Sequence, residues 1–123
     1  MIIKESQENY LETILVLKKR TGHVRSIDIA NEMGFSKPSV SVAMKNFKNE
    51  GYITIDESGG ITLTEKGLEI AEKVYDRHEI IAKFLISIGV SEKTAYEDSC
   101  RIEHDISHET FIKLKQHIKK ADI

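Results

Sequence analysis

Apolar positions along the chain change period twice, and the two changes divide it into parts. From about residue 4 to 20 the spacing predicts an amphipathic helix, with Tyr10, Leu11, Ile14, Leu15 and Leu17 on its apolar side. Thr21-Gly22 ends it. Ser26 is expected to cap a short helix carrying Ile27, Ala30 and Met33, stopped by Gly34. Ser36 caps the next helix, and Pro38 falls in its first turn, where a missing N–H costs nothing. Val40, Ala43, Met44 and Phe47 then recur at i, i+3, i+4 and i+7 and should face a core. Two short helices joined by a tight turn make a helix-turn-helix.

After Gly51 the period drops to two. Tyr52-Ile53-Thr54-Ile55 and Ile61-Thr62-Leu63-Thr64 flank Asp56-Glu57-Ser58-Gly59-Gly60, which predicts a β-hairpin. A helix-turn-helix followed by a hairpin is a winged helix. The helical period returns at Thr64, which caps a long helix from roughly 65 to 88 closed by Gly89. Its stripe is Ala71, Val74, Tyr75, His78, Ile81, Ala82 and Leu85. Ser91 opens another helix, and Ser107 a last one with Phe111, Leu114 and Ile118. The expected fold is mainly α. A winged helix-turn-helix with a two-stranded β wing occupies residues 1–64, and an all-helical domain occupies 65–123. A winged helix needs no such appendage for its own core, so the second part reads most simply as a dimerisation surface.

Composition narrows the class. The chain has 123 residues, 40% hydrophobic and 31% charged, as soluble globular proteins do. No apolar run approaches the roughly 20 residues that span a bilayer, and the opening MIIKESQENY does not read as a signal peptide. Cys100 is the single cysteine, which excludes an internal disulfide and points to a reducing cytoplasm. The net charge of −2 argues against a generic polyanion binder. Residues 1–66 hold nine Lys/Arg and nine Asp/Glu, and residues 67–123 hold nine and eleven. Nucleic-acid contact therefore belongs with the first half, and the acidic second half suits cations.

With its apolar side turned inward, the second helix of the helix-turn-helix exposes Lys37, Pro38, Ser39, Ser41, Val42 and Lys45, preceded by Ser36. Lysines and N-terminal serines suit phosphates, and Val42 suits a thymine methyl. Arg25 and Lys48 would extend the phosphate contacts. Few cations per subunit make a monomer a weak binder, because affinity grows with the number of neutralised phosphates. A homodimer on a palindromic double-stranded operator doubles the contacts.

The run Cys100-Arg101-Ile102-Glu103-His104 places a thiol, a carboxylate and an imidazole at i, i+3 and i+4, on one helix face with side chains about 5–6 Å apart. Mixed sulfur, oxygen and nitrogen donors suit a divalent transition metal, which wants at least one more ligand. Asn9 and Glu12, at i and i+3 on the first helix, are candidates. So is His78, a histidine inside an apolar stripe. Each alone has a bland reading: a surface carboxylate, a satisfied core histidine, a small buried hydrophobe. His23, His108 and His117 have no carboxylates at metal-like spacing and read as surface residues.

The chain resembles the diphtheria toxin repressor family of metal-dependent regulators, which has iron and manganese branches. The resemblance rests on ENYLETIL, IDIANEMGFSKPSVSVAMKNF, ITLTEKG, RHEIIAKFL and CRIEHDIS, in that order along nearly the whole chain. It implies a winged helix, a helical dimerisation domain and metal bound between them. Cys100, Glu103 and His104 fall on the primary metal motif, and Asn9 on the first-helix ligand position. Glu12 and His78 fall on positions that the manganese branch uses for a second ion. There are departures. Asn9 replaces the usual methionine or aspartate. Cys100 stands where the manganese branch has a bridging glutamate. Ala82 and Tyr96 stand where the iron branch has its ancillary glutamate and histidine.

The expected function is repression of metal-uptake or homeostasis genes by a dimer that senses Fe(II) or Mn(II). Cys100 tips the balance to Fe(II), and Zn, Co or Ni are expected to bind in vitro. No membrane partner is expected. A nucleophilic enzyme is disfavoured, since no Gly-rich or oxyanion-forming loop accompanies the cluster and His78-Glu79 does not complete H-E-x-x-H. The alternative is a metal-independent winged-helix regulator or partner-binding module.

Overall fold

The computed structural model describes residues 5–120. Its elements are α1 (Glu5–Thr21), α2 (Ser26–Met33), α3 (Lys37–Asn49), β1 (Ile53–Ile55), β2 (Ile61–Leu63), α4 (Glu65–Ser87), α5 (Glu92–Asp105) and α6 (His108–Lys120). They sort into two units, Met1–Glu72 and Lys73–Ile123, joined covalently through α4. Among the described residues no helix is long and apolar enough to cross a membrane.

The first unit is the winged helix expected from the sequence. Leu11, Ile14, Leu15 and Leu17 of α1 and Val40, Met44 and Phe47 of α3 are buried in its core. Three aromatic rings link successive elements. Tyr10 and Phe47 stand 5.8 Å apart at 66°, and Phe47 and Tyr52 stand 6.1 Å apart at 81°, the edge-to-face geometry that the ring quadrupole favours.

Two details of α2 differ from the expectation. Its N-cap is Arg25, not Ser26: Arg25 has extended backbone, and Asp28 reaches back to accept the Arg25 N–H at 2.9 Å. The longer acidic side chain at the third helical position takes the orphan donor, leaving Ser26 as an ordinary first-turn residue. The buried face also differs from the expected one. Ile29 and Ala30 are buried, while Ile27 is 37% exposed. Gly34 then ends α2 in the left-handed region at φ 71°.

The wing pairs Ile53 with Leu63, Thr54 with Thr62 and Ile55 with Ile61 in antiparallel register. The Val24 carbonyl accepts the Ile61 N–H at 2.8 Å, so the loop before α2 runs beside β2. Asp56 closes the turn. Its Oδ1 accepts the Ser58 N–H at 2.9 Å, the Ser58 hydroxyl at 2.8 Å and the Gly60 N–H at 2.8 Å. The Ser58 hydroxyl first, and then the Gly60 amide, hold its carboxyl below the ordinary aspartate value.

The first turns of α4 belong to the winged unit. Thr64 Oγ1 accepts the Gly67 N–H at 3.2 Å and donates to the Gly51 carbonyl at 2.6 Å. A Cβ on Gly67 would collide with the Tyr52 carbonyl oxygen. The hydrophobic period changes at residue 64, but the packing divides at Glu72/Lys73, because this close approach ties the start of α4 to β1.

In the second unit Val74, Ile81 and Ala82 of α4, Ala95 and Ser99 of α5, and Phe111 and Ile118 of α6 are buried. Arg77 donates to the Ile106 carbonyl at 2.9 Å and lies 5.2 Å over the Phe111 ring, which fixes the α5–α6 turn against α4. Lys115 pairs with Asp76 at 3.2 Å. The Ser107 hydroxyl caps α6 by accepting the Thr110 N–H at 3.1 Å.

Two outcomes follow. Gly67→Ala should cost about 1–3 kcal/mol of stability through overpacking, read as a lowered urea midpoint at unchanged slope. For Asp56, a depressed folded pKa stabilises the wing above the unfolded aspartate value of about 3.9 and ceases to do so as pH falls through the folded value. An NMR titration should give Asp56 a midpoint below that value, and Ser58→Ala should move it back up.

Candidate metal centre and nucleic-acid interface

Helix α3 carries no acidic residue, and its Ser36 cap accepts the Ser39 N–H at 3.3 Å. Lys37, Pro38, Ser39, Ser41, Val42 and Lys45 are all exposed, as are Ser36, Arg25 and Lys48. Val42 is 61% exposed, an unusual position for an apolar side chain with nothing to bury it. Arg25 is partly engaged, donating from Nε to His23 Nε2 at 3.1 Å. The face thus offers lysines, small hydroxyls and one apolar knob on a rigid helix. Phe35, 47% exposed in the turn before α3 and 5.8 Å from the Tyr10 ring, was not among the expected face residues. Its only sequence signal is an aromatic placed between two turn residues.

The second cluster is built by α4 and α5. His78 projects from α4, and one ligand atom each from His78, Cys100 and Glu103 lie within 4.8 Å of one another. The Glu103 side chain is 1% exposed, with Oε2 3.2 Å from His78 Nδ1 and Oε1 3.3 Å from His104 Nε2. Among the described residues, neither Glu103 oxygen has a hydrogen-bond partner. An ionised carboxylate removed from water without hydrogen bonds is strongly unfavourable. Its surroundings, two imidazoles and a thiol, are donors for a transition metal rather than for a structural ion pair. The residues present therefore fit a divalent ion.

Within the second unit the structure brings together His78, Cys100 and Glu103, with His104 Nε2 beside the other Glu103 oxygen. Cys100 is exposed, so its thiol is the accessible edge of the cluster. Asn9 and Glu12 lie on α1 of the winged unit, both half-buried, and the Asn9 carbonyl accepts the Thr13 hydroxyl at 2.8 Å. Ala82 is fully buried and offers no donor. Tyr96 donates its hydroxyl to Glu79 Oε2 at 3.1 Å. Burial first, then this bond, raises the Tyr96 phenol above its ordinary value, so it stays a donor at neutral pH. His23, His108 and His117 are exposed. Sequence reasoning missed Ser99, fully buried one residue before Cys100, whose hydroxyl donates to the His78 carbonyl. A polar residue four before Glu103 on the inward face was the available signal.

Both halves of the chain match the iron dependent repressor family. Residues 3–61 match the iron dependent repressor N-terminal DNA binding domain. Residues 64–122 match the iron dependent repressor metal binding and dimerisation domain. An uncharacterized HTH-type transcriptional regulator of Methanocaldococcus jannaschii is 36% identical over 120 residues, 96% of each chain. The transcriptional regulator MntR of Escherichia coli O157:H7 is 34% identical over 107 residues, 87% of this chain and 69% of that one. Among solved structures, the manganese regulator SloR matches with TM-score 0.77 at 28% identity, over 97% of this chain and 55% of SloR. IdeR of T. acidophilum matches in fold with TM-score 0.82 at 23% identity, over 99% of this chain and 56% of that one. The chain spans just over half the length of these two solved relatives.

Glu103→Gln should separate the two roles of this carboxylate. The metal-free protein should melt close to the unsubstituted one, because glutamine keeps the shape of the side chain. The rise in Tm on adding Mn(II), or Fe(II) under anaerobic conditions, should disappear, with metal affinity down by at least about 100-fold. Differential scanning fluorimetry and competition with a chelator read both.

Proposed function

The chain belongs to the iron-dependent repressor family of DNA-binding transcription regulators, and from that premise we propose that it is a homodimeric repressor switched on by a divalent transition metal held at Glu103. It is not an enzyme. The observation that carries the proposal is the buried Glu103 carboxylate, free of hydrogen bonds and faced by His78 and His104. A bound ion supplies the positive charge that this carboxylate lacks. Glu103 and His78 hold it from α5 and α4, and Cys100 adds a thiolate from the accessible side. His104, Asn9 and Glu12 complete the proposed ligand set on sequence grounds.

Binding can switch the protein only through a difference in affinity between its DNA-competent and other arrangements. Moving the population from 1:99 to 99:1 takes about 5.5 kcal/mol, which two ions per dimer can provide. Arg25, Lys37, Lys45 and Lys48 then meet phosphates while Val42 meets base edges in the major groove. Two such faces suit a palindromic operator, here the proposed control point of metal-uptake or homeostasis genes.

The ion we propose is Fe(II), because a thiolate beside an imidazole and a carboxylate favours the softer of the two candidates. The second reading is Mn(II), favoured by the manganese regulator SloR among the relatives. Zn, Co and Ni should also bind in vitro. An anaerobic DNA-binding titration against a palindromic promoter fragment, with chelator, Fe(II), Mn(II) or Zn(II), tests both. Tight binding only with an ion is the expected result, and the half-saturating concentrations rank the metals. Equal binding in chelator would make the cluster structural and the protein a metal-independent regulator.

A further inference from the structure

Ser99 and Tyr96 stand beside the proposed ligands without offering a donor of their own to an ion. Tyr96, Ser99 and Glu103 follow one another at i, i+3 and i+7 along α5, so they share a face. All three reach the same residue of α4. The Tyr96 ring lies 5.5 Å from the His78 imidazole at 37°. The Ser99 hydroxyl donates to the His78 carbonyl. Glu103 Oε2 stands 3.2 Å from His78 Nδ1. Ring face, backbone and ring nitrogen of a single histidine are thereby each held by a different turn of α5.

We infer that Ser99 and Tyr96 are positioning residues that set His78 for the ion, Ser99 by fixing the register of α4 against α5 and Tyr96 by fixing the plane of the imidazole. This rests on the metal reading above. Packing alone does not call for a serine here. The site is fully buried, where alanine fills nearly the same space without a hydroxyl to desolvate. The carbonyl that receives the hydroxyl lies inside α4 and keeps its helical partner, so this bond is additional to the ladder. Tyr96 is fixed in turn by its hydroxyl on Glu79 at 3.1 Å, the residue after His78. Contacts that orient a ligand from behind commonly govern metal affinity by 10- to 100-fold.

The test is anaerobic cobalt(II) binding by the full-length protein. The thiolate-to-cobalt charge-transfer band reports Cys100, the ligand-field bands report the remaining donors, and the Tm of the metal-free protein is the control for folding. Ser99→Ala should lower cobalt affinity by roughly 10-fold and shift the ligand-field bands. The charge-transfer band and the metal-free Tm should stay as they are. Tyr96→Leu should act in the same direction, and Tyr96→Phe, which keeps the ring, should restore most of the affinity. Wild-type affinity and spectra in Ser99→Ala and Tyr96→Leu would overturn the inference. So would a metal-free Tm that falls in step with affinity, which would make the role one of general packing. If the unsubstituted protein shows no charge-transfer band with cobalt, the metal reading itself fails at Cys100 and this inference falls with it. A wild-type site with unaffected variants fails only the positioning role.

Discussion

A carboxylate buried without a hydrogen bond is among the least stable arrangements a small domain can hold, and Glu103 is one. Its neighbours are two imidazoles and, on the exposed side, a thiol. Much of the second unit is arranged around this constraint. The fully buried Ser99 and the Tyr96–Glu79 bond hold His78 in place beside it. Arg77 secures the turn that follows α5 through the Ile106 carbonyl. A folded state that holds such a carboxyl group out of water would be stabilised by a cation bound beside it, which would link the proposed metal binding to folding.

Helix α4 runs from the DNA-binding unit into the unit that carries Glu103. Its first turns are locked to the wing by Thr64 and by the close approach of Gly67 to the Tyr52 carbonyl. Its later turns carry His78. One helix therefore has its start fixed by the domain that reads DNA and its middle fixed by the residues proposed to read metal.

The electrostatics of the proposed DNA-reading face explain why dimerisation matters. Lys37, Lys45 and Lys48 of α3, with Arg25, are few cations for a polyanion partner, and the net charge of the chain is −2. The wing turn adds Asp56 and Glu57 and no base. Affinity that depends on counterion release scales with contacts made, so a weakly basic module needs a second copy or a specific set of base contacts. The matched dimerisation domain supplies the first of these.

Much of this was legible in the residues. The period of apolar positions located both strands and the described helices other than α5, which Ser91 marked, because burying one face at period 3.6 or 2 is a local demand that each segment must meet. Ser36, Gly34, Ser107 and Gly89 marked boundaries through backbone chemistry that needs no partner from elsewhere. The spacing of Cys100, Glu103 and His104 named the helix face that carries the candidate ligands. The cap and phase of α2 were not legible in the same way. The helix begins after Arg25, whose N–H Asp28 accepts, and only the folded geometry shows that the extended backbone sits there. Nor could spacing show that His78 comes within ligand distance of Glu103, 25 positions away, or that Ser99 and Tyr96 close on the same histidine. Helical periodicity fixes which side chains share a face. Which two faces meet, and at what register, is decided only when packing and desolvation act on the whole unit at once.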